Sequence, residues 1–529
     1  MIRTLALAGI APLCMSLFAV NSPVFAQELS AVPQNTGRPQ YSIDMSYPYD
    51  YSAITAYAGD HPAIYRHIDN NIDAHVGNLQ RWLRQPSISA QDVGIDDMAQ
   101  LLVDDFRKLG FKEAELVPTD GHPGVWAYFD AGAEKTLMVY MMYDVQPVNP
   151  DDWQSPPFAA ELVDHPTGKV IMARGATNQK GPQRAFLNAL ESIIAVEGNL
   201  PVNLMITAEG EEELGSPNYP QIVDKYEDRL RTADGVIFPM NMQSPGGDLN
   251  LFLGVKGIAY WELEARGGSW GGPVTSEIHG SYKAALDSPV WRLVQALASL
   301  TSPDGNTALV PGFYDGIRGP TEEEQSLIAA SLLNNDRTSA LQETFAIERW
   351  IDDAGPEQRA MELTYTPTLN IDGIYAGYTG EGVKTILPHV ATAKMDSRLP
   401  VGIDPDEHMD KIRAYLDANG YGDIVMRRLS SYPAAQTSIQ TPLVQAALGV
   451  SKKYAGTPAV NPRIAGSAPF YQFTQRLKLP MMPWGMGFGT GAHSPNEIML
   501  IEPAAGSGAA GLADIEKAYV DFVYALSGE

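Results

Sequence analysis

The chain has 529 residues, which is too long for one typical hydrophobic core and predicts two or three domains. Its formal net charge of −26 argues against a nucleic-acid partner, because phosphate binding requires basic patches. Cys14 is the only cysteine, so a chain processed after this position can form no disulfide bond and cannot use cysteine catalysis.

The first 26 residues have the pattern of a secretory signal peptide. Arg3 precedes an apolar stretch that ends near Val20, and Ala26 is the predicted cleavage position. The stretch has about 16 residues, whereas a membrane-spanning helix needs roughly 20, which disfavours a membrane anchor. Pro12 and Leu13 before Cys14 disfavour a lipoprotein site. We therefore expect a periplasmic or secreted protein with no membrane attachment after cleavage.

Composition and periodicity predict four further segments. Residues 27–62 are rich in Pro, Tyr and Ser and are predicted to form an N-terminal surface segment. Helical and strand patterns alternate over 63–253, which predicts an α/β domain with a mostly parallel sheet. Residues 254–433 contain alternating strands and intervening helices, which indicates an α+β insert. Residues 434–529 are predicted to return to the first domain.

Acidic residues follow two of the predicted strands. The run "LMVYMMYDVQPV" ends at Asp144, and "VNLMITAEGEEELGS" ends in three consecutive glutamates, Glu211 to Glu213. In parallel sheets, ligands bind at the carboxyl ends of strands. Adjacent carboxylates repel each other unless a cation or a proton compensates them. By itself the run is equally consistent with a solvated acidic loop.

Two loops carry further polar groups. "ARGATNQKGP" contains Arg174 and Lys180, and "GTGAHSPNE" places His493 in a glycine-rich segment. Taken singly, each is weak evidence, because a lone histidine in a loop is usually just exposed.

In this order the motifs resemble a known family. They are "YDVQPV", "DDWQSPPF", "ARGATNQKG", "EGEEELGS", "PGFYDGIRGP", "PTLNIDGIYAGYTGEGVKTILP", "DSRLPVGIDPDE" and "GAHSPNE". The chain from His67 onward resembles the zinc-dependent exopeptidases that include carnosinase, glutamate carboxypeptidase and succinyl-diaminopimelate desuccinylase, and in particular the carnosinase-like branch. The resemblance implies an α/β catalytic domain, formed by 63–253 and 434–529, interrupted by a smaller α+β lid domain that forms a homodimer.

The resemblance also implies two zinc ions held by five protein ligands, one of them a bridging carboxylate. Three of these positions are changed here. Met142 replaces a histidine, Asn178 replaces the bridging aspartate, and Met240 aligns with a further aspartate. Zn²⁺ prefers Cys, His and carboxylate ligands, so a thioether and a neutral amide are poor substitutes.

Two ligand positions of the family remain, Glu213 and His493. Both belong to the same ion, whereas every private ligand of the other ion is lost. With weak help from Asn178, the site is expected to hold at most one zinc ion. The alternative is that it holds none, since even catalytic zinc usually has three protein ligands.

Other family positions are kept. The resemblance assigns Glu212 as the general base and Asp144 as the residue that orients the missing histidine. It assigns His279 to oxyanion stabilisation in the partner subunit's site, and Arg398 to the substrate carboxylate. Further substrate-contacting positions are Asn370, Gly466 and Ser467.

Without a zinc-bound histidine, Asp144 needs another partner or a proton, and Arg174 and Lys180 are the expected cations. Without zinc, one carboxyl of the Glu212 and Glu213 pair is expected to have a raised pKa.

Two functions therefore remain open. The first is a secreted hydrolase of peptide or amide bonds in a small carboxylate-bearing substrate, such as a peptide-like or N-acyl amino acid molecule. The second is a metal-free relative that acts as a binding protein or as a non-hydrolytic enzyme on a peptide-derived substrate.

Overall fold

The computed structural model describes residues 37–334 and 336–528, so the predicted signal peptide lies outside the described residues. In these ranges the α-helices are α1 (Pro62–Arg84), α2 (Ile95–Lys108), α3 (Lys180–Glu197), α4 (Tyr219–Leu230), α5 (Pro289–Ser299), α6 (Glu322–Asn334), α7 (Arg337–Thr344), α8 (Pro356–Tyr365), α9 (Pro405–Ala418), α10 (Pro442–Ala455) and α11 (Leu512–Ser527). None of the helices in this part of the chain is long and apolar enough to cross a bilayer.

The strands of the same ranges are β1 (Glu113–Val117), β2 (Gly124–Phe129), β3 (Thr136–Met142), β4 (Glu161–His165), β5 (Gly168–Met172), β6 (Asn203–Glu209), β7 (Gly235–Pro239), β8 (Asn250–Phe252), β9 (Gly254–Arg266), β10 (Ile278–His279), β11 (Asn370–Ala376), β12 (Ile386–Leu387), β13 (Val390–Leu399), β14 (Val425–Tyr432), β15 (Ala435–Gln436), β16 (Ala459–Asn461), β17 (Ile464–Ser467), β18 (Met481–Trp484), β19 (Gly489–Thr490) and β20 (Ile498–Pro503).

The main sheet has the order β1-β2-β6-β3-β7-β18. Strands β6, β3, β7 and β18 pair in parallel, whereas β1 and β2 form an antiparallel edge. Strands β3 and β6 are buried along their whole length, as expected for central parallel strands covered on both faces. Met142 and Glu209, the last residues of these two strands, lie side by side.

Helices cover both faces of the main sheet. Because side chains alternate along a strand, Val139 and Met141 face a core built with α1, α2, α3, α10 and α11. Met138, Tyr140 and Met142 face a second core, built with α4 and the helical turn Gln472–Leu477. The C-terminal edge of the sheet therefore lies between two packed layers.

A second, antiparallel sheet has the order β11-β13-β9-β14. Helices α5 and α9 pack on one face of it and enclose a separate core that includes Trp261, Leu293 and Met409. The predicted mixed α/β fold with a mostly parallel sheet is confirmed. The predicted domain boundaries stay predictions.

Strand β9 extends the second sheet beyond its four main strands. Its first residues pair with β15 and β17, which follow β14 along the chain. Residues 37–60 contact helices α6 and α10, since Tyr49 N donates to Ser326 O and Tyr57 N donates to Gly449 O.

Candidate active site

Asp144 anchors the acidic segment at the C-terminal edge of the main sheet. Its carboxylate accepts hydrogen bonds from the backbone N–H groups of Glu212, at 3.2 Å, and Glu213, at 3.0 Å. Ser89 Oγ donates to it at 2.8 Å. Burial, followed by the charge of Glu213, raises the pKa of Asp144 to about 7. The two backbone hydrogen bonds to Asp144 hold the short 3₁₀ turn Glu212–Leu214 in place.

The expected cationic partners of Asp144 donate their hydrogen bonds elsewhere, although the charge of Asp144 still acts on Lys180. Arg174 Nη1 donates to Glu497 Oε2 at 2.7 Å. Lys180 is buried and donates to the backbone carbonyl of Gln85 at 2.7 Å. Neutral donors satisfy Asp144 instead, and one of them, Ser89, lies in a region that no sequence motif had marked.

The two retained ligand positions, Glu213 and His493, are in contact. His493 Nε2 lies 3.2 Å from Glu213 Oε2. Asn178 Nδ2 donates to Glu213 Oε1 at 2.7 Å and lies 3.1 Å from His493 Nε2. Gln146 Nε2 donates to Glu213 Oε2 at 2.7 Å. The structure therefore brings the three predicted positions together and adds Gln146, which the sequence analysis missed.

The electrostatics of this cluster follow from its carboxyl groups. The hydrogen bond to Glu213 raises the pKa of His493. Burial raises the pKa of Glu212 well above its usual range, and Glu213, Asp144 and Glu209 add to the effect. This direction agrees with the expectation of a raised pKa in the glutamate pair when no cation compensates it.

The changed positions Met142 and Met240 face apolar surroundings. Met142 is buried in the core that contains Tyr140, Phe238 and Phe470. Met240, just after β7, packs against both cores of the main sheet. These side chains offer sulfur and carbon atoms where a second zinc ion would need imidazole and carboxylate, so they do not fit that ion.

The donor set of the other ion is only partly suitable. Glu213 and His493 have the right chemistry for zinc. The Asn178 oxygen accepts a hydrogen bond from Gln179 Nε2 at 3.0 Å. Over the ranges that the structure describes, no group of three or more His, Cys, Asp and Glu side chains is arranged to bind a metal ion. Of the ligand positions that the resemblance implies, Glu213 and His493 are the two whose side chains could hold one ion.

Glu497 organises the loop that carries Asn178. One carboxylate oxygen accepts from the N–H groups of Thr177 and Asn178, both at 2.8 Å, and the other from Gly175 N at 2.9 Å. With the ion pair to Arg174, this buried carboxylate ties the "GAHSPNE" and "ARGATNQKG" motifs together. The "GAHSPNE" motif was singled out for His493, and no pattern in it indicated that Glu497 positions the Asn178 loop.

The predicted substrate-contacting residues cluster around the second sheet. Arg398 on β13 donates through Nε to Asp396 at 2.9 Å. Ser467, next to Gly466 on β17, donates to Gly257 O at 2.9 Å. Asn370 begins β11 and donates to Asp372 at 2.9 Å. These contacts lie within the second sheet and its immediate neighbours, and none of them involves Glu212.

His279 is exposed, and its hydrogen bonds go to Ser281 and Thr385. Its role in a partner subunit's site therefore stays a prediction.

Tyr432, in the second sheet, and Tyr471, just before the helical turn Gln472–Leu477, form a ring pair that was missed in the sequence. Tyr432 at the end of β14 stacks on Tyr471, with ring centroids 5.7 Å apart. Burial raises the pKa of Tyr432; Glu212 raises it further, and Arg398 lowers it. Tyr432 is thus within electrostatic reach of both Glu212 and Arg398. Ser430 Oγ, on the same strand, donates to Gly215 O at 3.3 Å.

Comparisons with known proteins agree with this architecture. The sequence profile of Peptidase family M20/M25/M40 matches residues 138–515. A Beta-Ala-His dipeptidase of Homo sapiens is 30% identical over 388 residues, covering 70% of this chain and 72% of that protein. A Cys-Gly metallodipeptidase of Schizosaccharomyces pombe is 27% identical over 463 residues, covering 82% of this chain and 93% of that protein.

Among solved structures, an M20 family metallo-carboxypeptidase of Sulfolobus solfataricus superposes with a TM-score of 0.76 and is 32% identical. The similarity covers 86% of this chain and 99% of that one. The matched residues 138–515 include Asp144, the glutamate run and His493, which form the site described above. The chain therefore belongs to peptidase family M20/M25/M40.

Proposed function

We propose that this protein hydrolyses a peptide or amide bond in a small, carboxylate-bearing substrate without assembling a two-zinc centre. The observation that carries the proposal is the placement of Glu212 next to Glu213, which contacts His493, while Met142 is buried among apolar side chains. At most one ion is held, by Glu213 and His493. Membership of a peptidase family and similarity to dipeptidases support a peptide-like or N-acyl amino acid substrate.

In this scheme Glu212 takes a proton from the attacking water. Asp144 holds Glu212 in place, because it accepts the backbone N–H groups of Glu212 and Glu213. A general base must be ionised to act, and burial, together with the neighbouring carboxylates, raises the pKa of Glu212 and so opposes its ionisation. An ion bound at Glu213 and His493 would favour the ionised form of Glu212 and polarise the scissile carbonyl.

The test is the Glu212→Gln variant, assayed on a panel of dipeptides and N-acyl amino acids. Removing a general base is expected to lower kcat by roughly 10²- to 10⁴-fold while substrate binding is kept. Glu211→Gln is the matched control, since Glu211 is an adjacent carboxylate that accepts a hydrogen bond from Asn218. Unchanged turnover in Glu212→Gln would show that Glu212 is not the base.

A second candidate is a metal-free binding protein or non-hydrolytic enzyme. It is favoured by one observation: both oxygens of Glu213 already accept amide donors, from Asn178 and Gln146. Such donors satisfy a carboxylate without a cation. Binding of carboxylated peptides without turnover, in protein that contains no zinc, would favour this candidate over the hydrolase.

We further propose that the protein is secreted or periplasmic and acts as a homodimer through residues 254–433. The N-terminal pattern of residues 1–26 supports the location. Exposed apolar side chains, including Val274, Tyr282 and Trp291, support the dimer.

A further inference from the structure

A cavity of about 300 Å³ lies beside the proposed substrate-contacting positions. Arg398 lines it directly. Leu369 and Ala465 also line it, and they are the chain neighbours of Asn370 and Gly466. The cavity therefore shares a wall with three of the positions that the resemblance assigns to the substrate.

The cavity has a mostly apolar wall. Large side chains contribute to it from loops outside the second sheet, namely Phe313, Tyr314, Trp350 and Ile351. The rings of Phe313 and Tyr314 lie edge to face, with centroids 5.0 Å apart. Aromatic walls of this kind suit a large apolar group, and the volume is at the lower end of the range for small-molecule sites.

Lys256 is the polar group in this wall that lacks a counter-charge. Its side chain is buried, and Nζ donates to the backbone carbonyl of Thr366 at 2.7 Å. An ammonium has three donors, and no acidic side chain among the described residues pairs with this one. Burial, with Arg463 and Arg398 nearby, lowers the pKa of Lys256 to about 7. An anion in the cavity would offset the free-energy cost of burying the unpaired ammonium of Lys256.

The other cationic side chains near the cavity have acidic partners. Arg38 pairs with Glu362 at 3.0 Å, and Arg463 is paired with Glu324. Arg398 uses Nε for Asp396, and in the described part of the chain its two terminal nitrogens have no hydrogen-bond partner. An anion entering the cavity would therefore be attracted to Lys256 and to the free end of Arg398.

We propose that this cavity binds the C-terminal residue of the substrate, with its carboxylate between Lys256 and Arg398 and a large apolar or aromatic side chain against Phe313 and Tyr314. The inference rests on the proposed function, because it names the substrate class of the same site. It adds Lys256 as a binding residue and predicts a preference for aromatic over small C-terminal residues.

Calorimetric titration of the purified full chain with three probes tests the proposal. The probes are alanyl-phenylalanine, alanyl-glycine and alanyl-phenylalaninamide, titrated at pH 6, where the Lys256 ammonium carries its charge. Alanyl-phenylalanine is expected to bind roughly tenfold to a hundredfold more tightly than alanyl-glycine, because a buried aromatic side chain is gained. It is also expected to bind more tightly than the amide, which lacks the carboxylate.

Two variants locate the binding. Lys256→Met keeps the length of the side chain and removes the charge, so it should weaken alanyl-phenylalanine roughly 30-fold or more and leave the amide unchanged. Ala308→Leu reduces the cavity and should weaken alanyl-phenylalanine but not alanyl-glycine. Ala360→Leu is the matched control, because Ala360 lines a neighbouring cavity instead. Thermal melts verify that each variant is folded.

The outcomes distinguish the proposed binding in the cavity from the proposed hydrolase activity. Selective binding of alanyl-phenylalanine that both variants weaken supports the inference, whether or not the peptide is cleaved. Cleavage alone decides whether the protein is a hydrolase. Cleavage without C-terminal preference, or without an effect of Lys256→Met, overturns the inference and leaves the hydrolase standing. Absence of binding of all three probes also overturns the inference.

Discussion

Met142 and Met240 were identified from the sequence as changed ligand positions, but their surroundings were not. The apolar core around Met142 is built by Phe238 and Phe470, which are far from it in sequence. Such contacts depend on tertiary packing, and no local pattern encodes them. The same limitation applies to Ser89, whose hydroxyl donates a hydrogen bond to Asp144.

Glu209 shows how burial affects a single carboxyl group near the site. Oε1 accepts from Tyr140 at 2.6 Å and from Ser216 at 2.9 Å, whereas Oε2 has no hydrogen-bond partner among the described residues. Burial raises the pKa of Glu209 from 4.5 to about 8. Between these values the unfolded chain releases the proton before the folded chain does, so the free energy of unfolding falls as the pH rises.

We predict that Glu209→Gln removes this fall in the free energy of unfolding with rising pH. Relative to the unchanged protein, the variant should gain stability between pH 5 and pH 8.5. The upper limit of the gain is about 5 kcal/mol, since one pKa unit corresponds to about 1.4 kcal/mol. Urea unfolding at both pH values measures it. The control is Glu115→Gln, because bonds from Tyr226 and Lys225 lower the pKa of Glu115. An equal stability difference at both pH values would contradict the assignment.

At the level of secondary structure, the sequence predicted the elements correctly where the helical or strand periodicity was strong. The central strands β3 and β6 and the helices α1, α3 and α11 agree with the periodicity that predicted them. The acidic run was left open between a site and a solvated loop, and it is a 3₁₀ turn held by Asp144. The tyrosine pair of Tyr432 and Tyr471 was missed, because it joins segments whose contact arises only from the fold.

The connection between β20 and the loop of Asn178 gives a prediction at this scale. Glu497→Ala would leave Arg174 and three loop N–H groups without their buried acceptor. Removing one partner of a buried ion pair is expected to cost about 3–5 kcal/mol. Chemical unfolding should reveal this loss, and turnover should fall because Asn178 and Glu213 lose their alignment.

The control for Glu497→Ala is Glu502→Ala, which removes an exposed carboxylate on β20, the strand that follows Glu497. Wild-type stability and turnover in the Glu497 variant would contradict the positioning role.

At the scale of the whole molecule, the strong negative charge carries no information about fold or subunit contacts. The family assignment came from ordered motifs, and the profile match confirms it. The dimer rests on the resemblance and on exposed apolar side chains. One of these, Trp291 on α5, has 58% of its surface exposed, whereas Leu293 on the same helix is buried.

Trp291→Asp is expected to shift the protein from dimer to monomer, because it places a charge in the proposed contact. Turnover should fall in parallel if His279 of one subunit serves the site of the other. Analytical ultracentrifugation measures the mass. The control is Tyr47→Asp, a similar change at an exposed residue of the N-terminal segment. A dimer that persists in Trp291→Asp would place the contact elsewhere.

The central claim is that a two-zinc centre does not assemble here, and the number of zinc ions bound by the native full chain tests it most directly. Mass spectrometry of protein purified without chelator, together with anomalous scattering from crystals, gives the count and the positions. The combined variant Met142→His, Asn178→Asp and Met240→Asp is the positive control and should bind more zinc. We expect no more than one ion per native chain, next to Glu213 and His493. Two fully occupied zinc sites in the native protein would contradict it.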